Sequence, residues 1–212
     1  MALCVRQGTV RKKTPVRRIC RFRERAATRT RLLETAATLI IEKGYDHASM
    51  RQIARAAGVG DATIYNYFSS KEKLVFGQFE RVQQLAVDAC YATPDLEKFS
   101  LAEKLHLLMD ALLTSWLPLR EYMQQIYAMP YFAILANAPA CQKTRQTFCK
   151  AANDLLGSAI ANGEMEEQPA RELIVRLLWD FQSGIHAFWL RDKSEFFNDT
   201  NHVLDTSTDL VS

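Results

Sequence analysis

The sequence predicts an all-α protein of about nine helices, and three observations predict it. Apolar residues recur at helical spacing along most of the chain. No stretch alternates apolar and polar residues as a half-buried strand would. Pro94, Pro118, Pro130, Pro139 and Pro169 fall between the periodic stretches, where they end helices. With 212 residues, 48% of them hydrophobic and only 8 Gly and 6 Pro, the chain can bury a sizeable core and is no linker or low-complexity segment.

The elements follow in order. Residues 1–27 show no apolar periodicity and carry Gly8 and Pro15, so they read as a basic flexible arm. Leu33, Ala36, Ala37 and Ile40 then mark an amphipathic helix that ends at Gly44 as a left-handed cap, with Tyr45 folding back onto its last turn. Ser49-Met50-Arg51-Gln52 fits a capping box opening a second, nine-residue helix with Met50, Ile53, Ala54 and Ala57 on its buried stripe. Gly58-Val59-Gly60 breaks it. A short third helix runs from about Asp61 to Phe68, with Ile64 and Phe68 on one face. Ser69-Ser70-Lys71-Glu72 reads as another capping box, opening a long helix through about Cys90. Four or five further helices follow.

The net charge of +3 hides an asymmetry. Residues 1–31 hold eleven basic residues against one acid, a net of +10. Residues 32–73 are neutral, and 74–212 carry a net of −7. A basic front and an acidic body suit a polyanion partner at the N-terminal end. An Arg-rich transit peptide is a second reading of the front and a solvated tail without a partner a third.

The next segment decides between them. Two short helices joined by a Gly-containing turn describe a helix-turn-helix. Ala54 and Ala57 are small enough for close helix crossing, Gly58 supplies the permissive turn and Val59 plugs the gap. With Ile64 and Phe68 inward, the third helix turns Asp61, Ala62, Thr63, Asn66 and Tyr67 outward, groups that suit base edges and phosphates in a major groove. Residues 28–76 resemble the DNA-binding domain of TetR-type transcriptional regulators. The resemblance is carried by Glu42-Lys43-Gly44-Tyr45, by Ile53-Ala54-Arg55-Ala56-Ala57-Gly58-Val59 and by the run from Thr63 to Glu72.

That resemblance implies base-edge contacts from Arg51, Ala62 and Thr63, and phosphate or sugar contacts from Ser49, Tyr65, Tyr67 and Lys71. Lys71 would sit at a helix N-terminus that already attracts phosphate. Two departures stand out. Gly60-Asp61 replaces a usual Ser-Lys-like pair, so Asp61 either caps the third helix or accepts from a cytosine amino group, with capping preferred. Asn66 replaces a frequent Arg. Tyr65 divides between core and contact. The arm either tracks phosphates and the adjacent minor groove or adds only salt-sensitive, non-specific affinity; the second is the preferred expectation.

The sequence divides into the arm (1–27), the helix-turn-helix domain (28–74) and a larger helical effector-binding and dimerisation domain (75–212). A reader this short normally works as a dimer. Ile174, Leu177, Leu178, Phe181, Ile185, Phe188 and Trp189 form a stripe over four turns, with Gly184 allowing close approach. The bland alternative is ordinary core. The resemblance, in which the last two long helices form a four-helix bundle with their mates, favours a homodimer interface, to which a terminal helix from about Ser194 would add Phe196, Phe197 and Val203. Met109, Trp116, Tyr122, Met123, Tyr127, Phe132 and Phe148 lie in an aromatic- and Met-rich zone. Core packing is the first reading; a pocket for an unidentified small apolar or aromatic effector is the second.

Much else is excluded or unsupported. Leu105 to Leu117 is the longest apolar stretch and is interrupted by His106 and Asp110, so no membrane partner is expected. An apolar leader is missing from the N-terminus, and a cytoplasmic location is expected. The five cysteines form no Cys-x-x-Cys pair and read as reduced thiols. Glu103, His106 and Asp110 share a helix face, but a solvated edge outweighs a metal site, and no cofactor is expected. No nucleophile elbow or phosphate-cradling loop occurs, so the function expected is a sequence-specific DNA-binding regulator, a ligand-responsive repressor acting on double-stranded palindromic operator DNA, and not an enzyme. Two alternatives remain: a TetR-like fold reused as an enzyme or a lipid-binding protein, and a non-specific architectural DNA binder.

Overall fold

The structure, a computed structural model, describes residues 15–129 and 141–209. Nine α-helices lie among the described residues: α1 (Pro15–Lys43), α2 (Met50–Ala56), α3 (Asp61–Tyr65), α4 (Lys71–Tyr91), α5 (Leu101–Trp116), α6 (Arg120–Tyr127), α7 (Gln142–Ala161), α8 (Arg171–Trp189) and α9 (Asn198–Asp209). Single 3-10 turns precede α5, α6 and α9, and no strand occurs among these residues. The expected all-α class holds.

Two apolar clusters organise the chain. Leu32, Leu33 and Ala36 of α1 pack with Met50, Ile53, Ala54, Ala57, Ile64, Phe68 and Leu74 into a small core. One turn further along, Ala37 and Ile40 of α1 and Val75 and Phe79 of α4 enter a larger core built with α5 to α9. Both helices therefore serve both cores, and a movement of either is felt in each.

Residues 15–27 correct the expectation of a flexible arm. The described part of α1 starts at Pro15 and runs unbroken to Lys43. No Gly or further Pro interrupts that stretch, and Arg, Ala, Glu and Leu are strong helix formers. A missing apolar stripe here reflects only that residues 19–27 of α1 are exposed. Residues 1–14 of the arm lie outside the described residues.

Short-range chemistry explains the boundaries. Gly44 takes φ +85° and ends α1, while Gly58 takes φ +66° in the turn after α2. The Ser49 capping box forms as expected: Gln52 N–H donates to Ser49 Oγ at 3.3 Å, and Ser49 N–H donates to Gln52 Oε1 at 2.9 Å. The second box does not. Ser70 is the cap of α4, accepting from the Lys73 N–H, because Glu72 stands one position early for the reciprocal bond. Helix α3 spans only five residues, ending at Tyr65 and short of the expected Phe68.

Helix α6 ties the two ends of the molecule together. The Arg120 guanidinium donates to the carbonyls of Trp189, Leu190 and Asp192, satisfying acceptors that the end of α8 leaves open. From the same helix, the Gln125 amide donates to the Ile41 carbonyl near the end of α1.

Candidate nucleic-acid interface

The small core sets the reader's orientation. Ile53 and Ile64 are fully buried and Phe68 nearly so, so α2 and α3 are clamped on one side only. The other side is presented to solvent. Arg51, Ala62, Tyr65 and Asn66 are exposed there, and Asp61, Thr63 and Tyr67 are half-buried. Tyr65 is 51% exposed, which removes it from the core and leaves it available as a contact. Ser49 is exposed, but its hydroxyl is engaged in the cap of α2.

Asp61 does not cap α3, contrary to the preferred expectation. Gly60 holds the cap position with no side-chain bond, and Asp61 is the first helical residue. Its carboxylate lies 3.9 Å from Arg51 Nε instead. Two residues expected to face DNA thus neutralise each other. An acid in the first turn also suits the positive end of α3.

Lys71 is half-buried, not free. Its ammonium donates to the Tyr45 carbonyl and sits 4.1 Å from the centre of the Tyr45 ring. The Tyr45 hydroxyl donates to Glu72 at 3.3 Å. The Ser70 hydroxyl bond holds the Glu72 carboxyl below its ordinary value, so it stays charged beside Lys71. Tyr45 therefore fixes the first turn of α4 against the end of α1. Two donors remain on the ammonium for a phosphate.

The aromatic zone of the larger domain is mostly core. Met109, Trp116, Tyr122, Met123 and Phe148 are at most 3% exposed, Tyr127 is half-buried, and Phe132 lies outside the described residues. Phe79 meets Trp116 at 4.8 Å between ring centres, and Phe148 meets Trp179 at 5.9 Å. What the apolar pattern missed is polar. The Gln78 amide, the Tyr122 and Thr144 hydroxyls, Gln182 Oε1 and His186 Nε2 are buried with no hydrogen-bond partner among the described residues. Burial pushes His186 down to about 4 and Tyr127 up to about 12. The sequence signal was present: each polar residue interrupts an otherwise apolar face.

The expected dimer stripe is split. Ile185 and Trp189 are buried in the chain's own core, and Ile174, Leu178 and Phe181 are half-buried against it. Leu177 and Phe188 are 56% and 43% exposed, and with Leu173, which the stripe omitted, they recur along the outer side of α8 past Gly184. An 830 Å³ groove runs between α7 and α8, lined by Arg145, Cys149, Lys150, Leu173 and Arg176, and by none of the expected pocket residues. The terminal aromatics also differ: Phe196 is 80% exposed, whereas Phe197 packs on Trp189. His106 faces Asp205 of α9 at 3.8 Å, while Glu103 and Asp110 of the same edge are exposed. No cluster of metal-ligating residues and no helix long and apolar enough to cross a membrane occurs among the described residues.

Fold and reader together define a DNA-binding helix-turn-helix protein with a second, larger helical core. Residues 32–77 match the family model of bacterial regulatory proteins of the tetR family, and residues 104–212, half of the chain, match the tetracyclin repressor-like C-terminal domain. The chain belongs to the TetR family of transcriptional regulators. Among its relatives is the HTH-type transcriptional repressor KstR2 of Rhodococcus jostii, 43% identical over 51 residues, which are 24% of this chain and 25% of that protein. Such matches thus span about a quarter of the curated relatives. The fold likeness extends much further. A TetR-family regulator from Syntrophomonas wolfei aligns with a TM-score of 0.72 over 88% of this chain and 95% of its own, at 16% identity. The transcriptional regulator FadR of Bacillus subtilis, crystallised with stearoyl-CoA, aligns with a TM-score of 0.62 over 83% and 95%, at 23% identity.

Proposed function

We propose that this protein is a ligand-responsive repressor that binds a two-fold symmetric operator as a homodimer. The observation that carries DNA reading is the one-sided burial of α2 and α3: Ile53, Ile64 and Phe68 anchor them, and Arg51, Ala62, Thr63 and Asn66 are left on the outer side. The exposed apolar line of Leu173, Leu177 and Phe188 on α8 supports a partner copy, since large apolar side chains in a row along one helix are costly to leave in water. The arrangement of α8 as a rod beside α7 suits a four-helix contact between two copies.

Ligand response rests on the unpartnered polar atoms of the larger core. A ligand that offers hydrogen bonds to such buried donors and acceptors would gain affinity from them. Such a ligand shifts the population between DNA-competent and DNA-incompetent dimers in proportion to its differential affinity. Stearoyl-CoA, bound to the B. subtilis FadR, is the first compound to test.

Selection of bound sequences from random DNA tests the reading. A palindromic consensus with two half-sites about one helical turn apart is the expected result. Enrichment of no sequence would leave an architectural binder, and no DNA binding at all would leave the reused fold. Stearoyl-CoA should release the selected duplex; unchanged binding would exclude it as the effector.

A further inference from the structure

We propose that the N-terminal extension of α1 is a second DNA-contacting surface, which sets Arg21 and Arg25 against duplex phosphates flanking the bases met by α3. The proposal rests on the DNA-binding reading above and adds to it a placed contact outside the helix-turn-helix.

Register is the first observation. Leu32 is fully buried in the small core. The face of α1 that carries it continues toward the N-terminus through Thr28, Arg25 and Arg21, at successive spacings of four, three and four residues. The stripe thus changes from apolar to Arg where the small core ends, without leaving the side of the helix that faces the reader. Arg23 points elsewhere on the same helix.

Docking is the second. The Arg25 guanidinium lies 5.8 Å from the centre of the Tyr67 ring, two residues past the end of α3. One turn on, Arg29 lies 5.2 Å from the Phe68 ring and 3.3 Å from the Glu80 carboxylate. These contacts set the position of the extension relative to α3. Arg21, one turn beyond Arg25 and about 6 Å along the axis, then has a defined place as well.

Charge is the third. Arg29 is spent on Glu80, but Arg21 and Arg25 pair with no carboxylate among the described residues, and both are exposed. Glu24 is the one acid between residues 15 and 33. A guanidinium resting on an aromatic face keeps its edge donors for a phosphate, and its planar fork suits that geometry better than an ammonium. A coil of the same composition would lose ordering entropy on binding and hold no phosphate in particular. A helix anchored at Tyr67 presents its charges in place.

The test uses the full chain and a random-sequence duplex long enough to cover reader and flank. Affinity is measured across a salt series for the wild type, for R21Q/R25Q and for R23Q/R31Q. The second double variant removes the same charge from other sides of α1. All four arginines are exposed, and thermal melting followed by circular dichroism verifies that each variant is folded. Loss of two phosphate contacts should lower the slope of log affinity against log salt by about 1.8 in R21Q/R25Q. The change in R23Q/R31Q should stay well under half of that. Equal changes in the two variants would show a diffuse field and overturn the proposal, as would an unchanged slope in R21Q/R25Q while the wild type binds. A wild type with no affinity for the duplex would overturn the DNA reading and this surface with it.

Discussion

Arg51 and Asp61 face each other across the turn of the reader, Nε to carboxylate, at 3.9 Å. Their side chains are 77% and 44% exposed, so the pair is worth at most about 1 kcal/mol in solvent. A well-formed Arg contact to a guanine edge discriminates by about 1–3 kcal/mol, so DNA can outbid Asp61 for the guanidinium. If Arg51 turns to a base, Asp61 is left without its partner and its charge then opposes nearby phosphates.

Two substitutions separate these roles. Arg51→Ala should relax discrimination at one base pair per half-site by about 1–3 kcal/mol, read by competition with singly substituted duplexes. A uniform loss over all sequences would contradict direct readout. Asp61→Asn should strengthen binding to every duplex several-fold, because it removes a like charge without shortening the side chain. Weaker binding would mean that Asp61 itself accepts from a base.

The contact of Lys71 with Tyr45 makes a prediction about phosphate binding. Lys71→Ala should weaken binding on all sequences and lower the salt slope by about 0.9. Tyr45→Phe keeps both the carbonyl and the ring face and loses the bond to Glu72, so it should leave that slope unchanged. A slope lost in Tyr45→Phe would place the phosphate partner elsewhere.

On α8 the outer and inner residues should respond differently. Glu at both Leu177 and Phe188 should give folded monomers by light scattering, since both side chains are exposed in the single chain. Glu at Ile185, which is 4% exposed, should unfold the larger core instead. A dimer that survives L177E/F188E would move the interface off this face.

His186 gives the larger core an acid-sensitive element. Burial lowers its value to about 4 from an ordinary 6.5, so the unfolded chain binds the proton more tightly. The stability this contributes is complete above pH 6.5 and is lost as pH falls through the window from 6.5 to 4, amounting to about 2 kcal/mol at pH 5. Urea denaturation at pH 7.5 and pH 5 should show that loss in the wild type and not in His186→Gln. The same pH dependence in both would assign it to other groups.

Much of this protein could be read from its sequence because the deciding signals are local. The Ser49–Gln52 box, the glycines at 44 and 58, and the apolar spacing of Ile53, Ala54, Ala57 and Ile64 act within one or two turns. They determined the helix-turn-helix and the side of it that faces outward. The resemblance carried by residues 42–45, 53–59 and 63–72 named the family.

What the sequence misjudged depends on partners distant along the chain. Whether an apolar residue on α8 meets its own core or lies open to solvent is decided by how the other helices pack on α8, so Ile185 and Trp189 separate from Leu177 and Phe188 only in three dimensions. The extension before residue 28 looked like coil because it buries nothing, yet it joins a helix whose docking is decided by Tyr67, Phe68 and Glu80. The sequence by itself determined the elements and the reading face, since backbone capping and helical periodicity are short-range. Tertiary structure alone decided which charges are free and which polar groups are stranded, because Arg51, Lys71 and His186 take their surroundings from residues brought together by folding.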